Sequence, residues 1–553
     1  MKRTRDDFEN NEPSDPSNKP SKSSELGAPP HKKPHKPRSV LQEEAPAADP
    51  TQEQDTILLT EAEKAKLVAL KKQWDDQVIE IALRNKLTTQ PKGTQLDIEA
   101  LAEFQKKYKR TRANRFLRNS MSRLPVYYLA QQRNYIQSLN FTYSHTLPRY
   151  PHASDQGQSG RCWMFAGLNA IRLKLIEALN LPNSFEFSEA FLFFYDKLER
   201  FNFSTERAIE LSSLPDTNIK VERPMRHGIS EGGYWNYVVN LICKYGIVPK
   251  TVYGESYNSY SSRWMNQVIS TKFRQAIAEI RQRAAAGVSD TELREYKDKE
   301  VMPQIYQLLV NFMGEPPNSF SWEFYTRGTG SHASRHQQHL MEKVTPVQFF
   351  HELVNPIYKI ENKVVLLHDP RHDTKLYHPH VSINQCNVTG GQPMVTLPVS
   401  LSELKQSLVN TIRRGNSSWF GCDVDKDSSF EYGVLATEMF DLDSAVNSKL
   451  KMSKEDQVVN RESYPTHAML MVGVNIDPST NQPNRWRVEN SWGYMHTEDP
   501  GYLLMTDSWF DQYLYEAVVD REDLAPDLAQ KIDQHRLMLV YSHENDPLTG
   551  PLQ

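Results

Sequence analysis

Cysteine is scarce in this chain. The four present, Cys162, Cys243, Cys386 and Cys422, stand far apart. They have neither the close, even spacing of a disulfide framework nor the paired spacing of a zinc site. No apolar run is long enough to span a bilayer, so no membrane partner is expected. The first residues lack the apolar core of a secretory leader, and Asp6, Asp7 and Glu9 count against a mitochondrial presequence. These absences make the cytoplasm the expected location. An excess of one charge is also missing. Lys and Arg number 65 against 69 Asp and Glu, for a net charge of −4, which excludes a polyanion binder by overall composition. His368, His372, His378 and His380 lie close in sequence but lack the i, i+4 helical spacing and acidic neighbour of a zinc helix. Neither a metal nor a cofactor is expected.

The chain does have one stretch of unusual composition. Asp155-Gln156-Gly157-Gln158-Ser159-Gly160-Arg161 is small and polar and runs into Cys162-Trp163-Met164-Phe165-Ala166. Leu168, Ile171, Leu175 and Leu179 follow at helical spacing and predict one apolar face. That places Cys162 at or beside a helix N-terminus, where free N–H groups and the helix dipole favour a thiolate. Gln156, six residues upstream, offers an amide donor for an oxyanion formed beside the sulfur. A thiolate nucleophile needs a base, and the base needs an orienting group. Two apolar, β-branched runs far downstream carry both residue types. His467 opens the first, and Asn490 closes the second just before Ser491-Trp492-Gly493. Two neighbouring strands would set the imidazole and the amide side by side. A lone cysteine is more often structural than catalytic; the joint presence of Gln156, His467, Asn490 and Trp492 reverses that prior.

These segments resemble the papain-like cysteine peptidases, with Gln-x5-Cys-Trp, His-Ala ahead of an apolar strand, and Asn-Ser-Trp-Gly. The resemblance is closest to the bleomycin hydrolase branch. It rests on Ser159-Gly160-Arg161-Cys162-Trp163, Gly314-Glu315-Pro316-Pro317, Trp322-Glu323 and Trp419-Phe420-Gly421-Cys422-Asp423-Val424, and it runs from about residue 60 to the C-terminus. It implies an α+β fold of two lobes with inserted helical and hook subdomains. It also implies a broad-specificity cysteine aminopeptidase acting on peptides with a free N-terminus, assembled as a homohexamer. By the same resemblance Cys162 is the nucleophile, His467 the general base and acid, Asn490 the group orienting it, and Gln156 part of the oxyanion hole. Gly232, Gly233, Trp492 and Gln553 fall on the substrate side, with Trp492 also shielding the His–Asn hydrogen bond. Secreted relatives carry a cysteine three residues before the nucleophile, bridged to one just before a Gly-Gly pair. Ser159 and Ser230 stand at those places here.

Residues 1–55 are rich in Pro, Ser, Lys and Glu and are expected to be disordered. Their basic run, His31 to Arg38, has two readings. One is a nuclear-import or nucleic-acid contact; the other is a solvated tail, which the composition favours. Residues 56–553 are expected to form the catalytic domain. It begins with helices over about 60–85 and 97–107 and becomes β-rich from about 345. Cys162 and His467 are 305 residues apart, whereas papain-size enzymes separate them by about 130–150. Part of the excess falls in a helical insertion at about 250–345. Gly232-Gly233 reads equally as a plain turn or as a place of close backbone approach. Asp546 to Gln553, with two prolines and little to pack, is expected to be an extended arm. Two rival functions remain, a scaffold that kept the fold without activity and an acyl transferase using the same triad.

Overall fold

The computed structural model describes residues 96–149, 151–327, 336–382, 384–494, 499–536, 538–542 and 546–549, together with positions 65 and 69. The expected tail 1–55, most of the helix at 60–85, and Gln553 with the tip of the arm lie outside these residues. The chain divides into Met1–Asp97 and Ile98–Gln553; the elements that follow belong to the second unit.

Ser418–Cys422 and the first eight residues of His467–Ile476 are buried at every position. A strand reads this way when both faces of its sheet are covered, and alternation still decides what each face meets. Trp419, Ala468, Leu470 and Val472 join the core around the Cys162 helix. Phe420, Cys422, Met469 and Met471 join a second core with Leu404, Leu408 and Ile412 of the Leu401–Arg413 helix. The centre of the sheet runs Lys363–Leu367, Leu514–Asp520, Ser418–Cys422, His467–Ile476, Pro483–Glu489, Tyr502–Thr506, each antiparallel to the next. The expected β-rich C-terminal half is thus interleaved with helices, Leu401–Arg413 foremost.

The Cys162–Leu179 helix departs from its expected single apolar face. Positions 163–173, Leu175 and Ile176 are all buried. Its polar residues survive burial because each finds partners. Arg172 donates to the carbonyls of Phe185, His152 and Asn183 at 2.5–3.2 Å. Asn169 donates to Ser154 Oγ and Glu489 Oε1 at 2.7 and 2.9 Å. The helix ends at Asn180, which takes left-handed φ 50°, a common termination.

Ser188 caps the Glu189–Glu210 helix, and a helix spans Ile98–Arg110. Between Ser256 and Val344 lie the helices Arg263–Ala285 and Met302–Met313 and a hairpin of Phe320–Arg327 with His336–Val344. The arm corrects one expectation. Its base packs: Leu548 is fully buried against Leu367, Val458 and Tyr515. Asp546 turns the chain by accepting from the N–H groups of Leu548 and Thr549 at 2.9 and 3.1 Å, and it pairs with Arg371 at 2.7 Å. Composition did not show this because one leucine finding a pocket is a tertiary event.

Candidate active site

The loop before the nucleophile is tied down from several sides. Gln156 N–H donates to Ser491 O at 2.8 Å and Gln158 N–H to Tyr260 O at 2.7 Å. The fully buried Arg161 guanidinium meets Glu255 at 2.9 Å, Ser159 Oγ at 2.7 Å and Gln156 O at 3.2 Å, and lies 5.0 Å from the ring centres of Phe165 and Phe193. Glu231 completes the clamp. Its carboxylate accepts from Gly160 N–H at 2.7 Å, its carbonyl accepts from Trp163 Nε1 at 2.8 Å, and Lys197 stands 3.6 Å away. Sequence reading missed Arg161 and Glu231, since neither belongs to the reacting set. Where secreted relatives would have a disulfide between the two loops, this chain has buried hydrogen bonds and charge pairs. Breaking such a pair by removing one partner costs about 3–5 kcal/mol.

His467 begins its strand and Asn490 directly follows the antiparallel neighbour Pro483–Glu489. The imidazole Nε2 is 2.9 Å from Asn490 Oδ1. Ser491 N–H donates to the same atom at 2.8 Å, which identifies it as the amide oxygen. Nε2 therefore carries its hydrogen and donates, leaving Nδ1 for the sulfur. Both residues are buried. Trp492 covers the imidazole with ring centres 4.9 Å apart, and Phe430 backs Trp492 at 4.6 Å.

Burial opposes a thiolate at Cys162. The charge of His467 and its hydrogen bond outweigh that penalty, with help from the N–H groups of Ala468 and Trp163, and hold the thiol below its ordinary range. Burial likewise opposes an imidazolium at His467, and the Cys162 charge with the hydrogen bonds to Cys162 and Asn490 raises its pKa. The pair favours thiolate and imidazolium together. Burial instead raises the thiol pKa of Cys243, Cys386 and Cys422.

Gln156 is buried beside this group. Its amide oxygen accepts from Ser491 Oγ at 2.7 Å, and its Nε2 donates one hydrogen to Ser159 O at 2.6 Å; the second hydrogen is the one an oxyanion would take. A small depression is lined by Cys162, His467, Gly232, Gly233, Tyr234 and Glu516, among others. The close approach at the glycine pair comes from within the chain. A Cβ on Gly233 would lie 2.6 Å from the Trp163 indole. Gln553 lies outside the described residues. The four clustered histidines have different surroundings: His372 pairs with Glu455 at 2.8 Å, His378 packs on His535, burial drives the pKa of His368 down to about 3, and His380 is buried in its strand, with its pKa also lowered.

Residues 95–548 match the model of the Peptidase C1-like family. Human bleomycin hydrolase is 31% identical over 413 residues, 74% of this chain and 89% of that protein. Aminopeptidase C of Lactobacillus delbrueckii subsp. lactis is 35% identical over 382 residues, 69% of this chain and 82% of that protein. The crystal structure of PepW from Lactobacillus rhamnosis HN001 superposes with a TM-score of 0.76 at 28% identity, covering 82% of this chain and 99% of that one. The chain belongs to the Peptidase C1-like family and is a cysteine peptidase of α+β, papain-like fold.

Proposed function

We propose that this chain is a cysteine aminopeptidase of broad specificity that releases N-terminal residues from peptides through a thioester acyl-enzyme. The observation that carries the reading is the His467–Asn490 hydrogen bond of 2.9 Å beside a thiol held below its ordinary pKa. The names of the relatives, bleomycin hydrolase and aminopeptidase C, supply the substrate class, including the amide of bleomycin itself. In this mechanism the Cys162 thiolate attacks the scissile carbonyl. The Gln156 amide and a backbone N–H hold the oxyanion. His467 gives its proton to the leaving amine, then takes one from the water that releases the acid. Asn490 keeps the imidazole oriented under Trp492, and Gly232 and Gly233 border the bound peptide.

The arm supplies the exopeptidase character in this reading. Its base is pinned by Arg371 and Leu548; the proposed role of the segment after it, Gln553 included, is to recognise the substrate amine. A library of free-amine and N-blocked peptides tests both parts. Wild type is expected to favour free amines by at least about tenfold. Deleting residues 550–553, which spares buried Leu548, should lower that preference and expose internal bonds. If the truncated enzyme keeps its full preference, the arm is not the gate.

The proposed domain plan is a tail over 1–55 and a catalytic domain over 56–553 whose insertion at about 250–345 builds a homohexamer. The helices Arg263–Ala285 and Met302–Met313 and the hairpin after them support it. Light scattering should give about six times the chain mass of 63.9 kDa; a monomer at micromolar concentration would refute it. Four free cysteines fit a reducing cytoplasmic setting, which cell fractionation checks. The basic run at 31–38 lies outside the described residues, and nucleic acid has no part in this reading.

A further inference from the structure

Glu516 is the feature that the mechanism above leaves unused. It lies on Leu514–Asp520, is 1% exposed, and lines the same depression as Cys162 and His467. Its Oε2 has no hydrogen-bond partner, and an unpaired buried carboxyl oxygen is costly enough to require an explanation. The neighbouring strand makes room for it. Gly421 is paired with Glu516 across the sheet, and a Cβ on Gly421 would lie 2.7 Å from Glu516 Oε1. A side chain larger than hydrogen at 421 would push the carboxyl out of its place.

The other buried acids of the chain show what is missing at Glu516. Glu189, raised by burial to about 7, has Lys250 opposing the shift; Glu489, also raised to about 7, has Arg172 and Arg487. Asp423, Asp427, Asp507 and Asp523 are raised as well, and each has a lysine or arginine opposing. Burial alone acts on Glu516 and pushes it up to about 8. Among the described residues it is the one raised carboxyl with no cation set against it. It lines the depression beside Cys162 and His467.

We propose that Glu516 is a specificity-determining residue whose carboxyl binds a cationic nitrogen of the substrate at the wall of the cleft. This rests on the aminopeptidase reading, and it gives the free N-terminus a charge partner in the catalytic domain itself, separate from the Gln553 carboxylate. In the free enzyme the carboxyl keeps its proton, which is the cheaper state for an isolated buried acid. When an ammonium docks, that proton leaves to solvent and a carboxylate–ammonium pair forms. A substrate with an acylated amine and an uncharged first side chain leaves Glu516 neutral and gains nothing from it. The cationic nitrogen has two sources, the α-ammonium or the side chain of a first-residue Lys or Arg.

The test compares Glu516→Gln with wild type. Glutamine is close in shape and uncharged, as the carboxyl itself is in the free enzyme, so the fold is retained; Glu516→Asp is the conservative partner. Cys162 is alkylated with alanyl chloromethyl ketone, which carries a free amine, with lysyl chloromethyl ketone, with N-acetylalanyl chloromethyl ketone, and with iodoacetamide. Glu516→Gln is expected to slow the free-amine reagents by about 10–100-fold, the scale of a lost charge-assisted hydrogen bond. Iodoacetamide and the acetylated reagent should change less than about threefold, and Glu516→Asp should recover part of the loss. A loss confined to lysyl reagents assigns the bound cation to the side chain. Equal rates of all reagents on wild type and Glu516→Gln overturn the proposal, as does an equal slowing of iodoacetamide, which marks a structural role only. Failure of the aminopeptidase reading looks different: wild type itself would then show no preference for free-amine over N-blocked peptides.

Discussion

Cys162→Ala is expected to lower peptide hydrolysis by about 10,000-fold or more while the protein stays folded. The change removes one small side chain at the first turn of a helix whose burial is provided by the residues after it, from Trp163 to Ile176. Stability should therefore change by less than about 1 kcal/mol, within the range of mild substitutions. The chemistry has no substitute for the lost sulfur. Cys422 is buried, Cys386 is partly covered and Cys243 is exposed, yet desolvation raises all three thiols above their ordinary range. Iodoacetamide at pH 6 should accordingly label Cys162 in wild type and almost nothing in Cys162→Ala, read by peptide mass mapping. Thermal melts should overlay. Turnover by the variant above a few per cent of wild type would place the nucleophile elsewhere.

The parts of this site that could be read from sequence are those whose residue type is fixed by chemistry and whose position is marked locally. Cys162 follows a run of small polar residues and starts an apolar helix. His467 and Asn490 sit at the ends of two apolar runs, and those runs pair as neighbouring strands. The supporting residues carry no local mark. Arg161 looks like any arginine near a loop, and its burial depends on Glu255, 94 positions on. Glu231 gives no sign in sequence that Gly160 will donate to it. Glu516 stands within an apolar strand, where an acid reads as a solvent-facing position; the covered second face of the sheet makes it a buried one. Gly233 was open between turn and close approach, and only the Trp163 indole decides what approaches. The spacing of Leu168, Ile171, Leu175 and Leu179 shows one apolar face of the Cys162 helix and cannot show that Asn169 and Arg172 are buried too, because their partners come from other loops and strands. Local pattern therefore reports which groups react, while the contacts that hold them are set by pairing between distant segments.

His467→Ala should cost about 1,000-fold or more in kcat/KM, because one side chain serves two roles: it carries the proton in both half-reactions and it holds Cys162 as a thiolate. The pH dependence separates the roles. In wild type the Cys162 pKa is lowered and the His467 pKa is raised, so the reactive pair is populated between the two. As pH rises through the lowered Cys162 value the thiolate forms and kcat/KM increases. As pH rises further through the raised His467 value the imidazolium is lost and kcat/KM falls. The profile should be a bell whose acid limb lies well below the titration of a free thiol. In His467→Ala the largest influence left on Cys162 is burial, which raises its pKa. The acid limb of iodoacetamide labelling should then move toward alkaline pH. Asn490→Ala should do less, since it removes the acceptor for Nε2–H without removing the imidazole; some of the shift at His467 should be lost and the alkaline limb should move to lower pH. Labelling rates and kcat/KM measured from pH 4 to 10 on the three proteins give both limbs. An acid limb that stays in place in His467→Ala would mean that the helix N-terminus alone lowers the Cys162 pKa, and the thiolate–imidazolium pair would have to be abandoned.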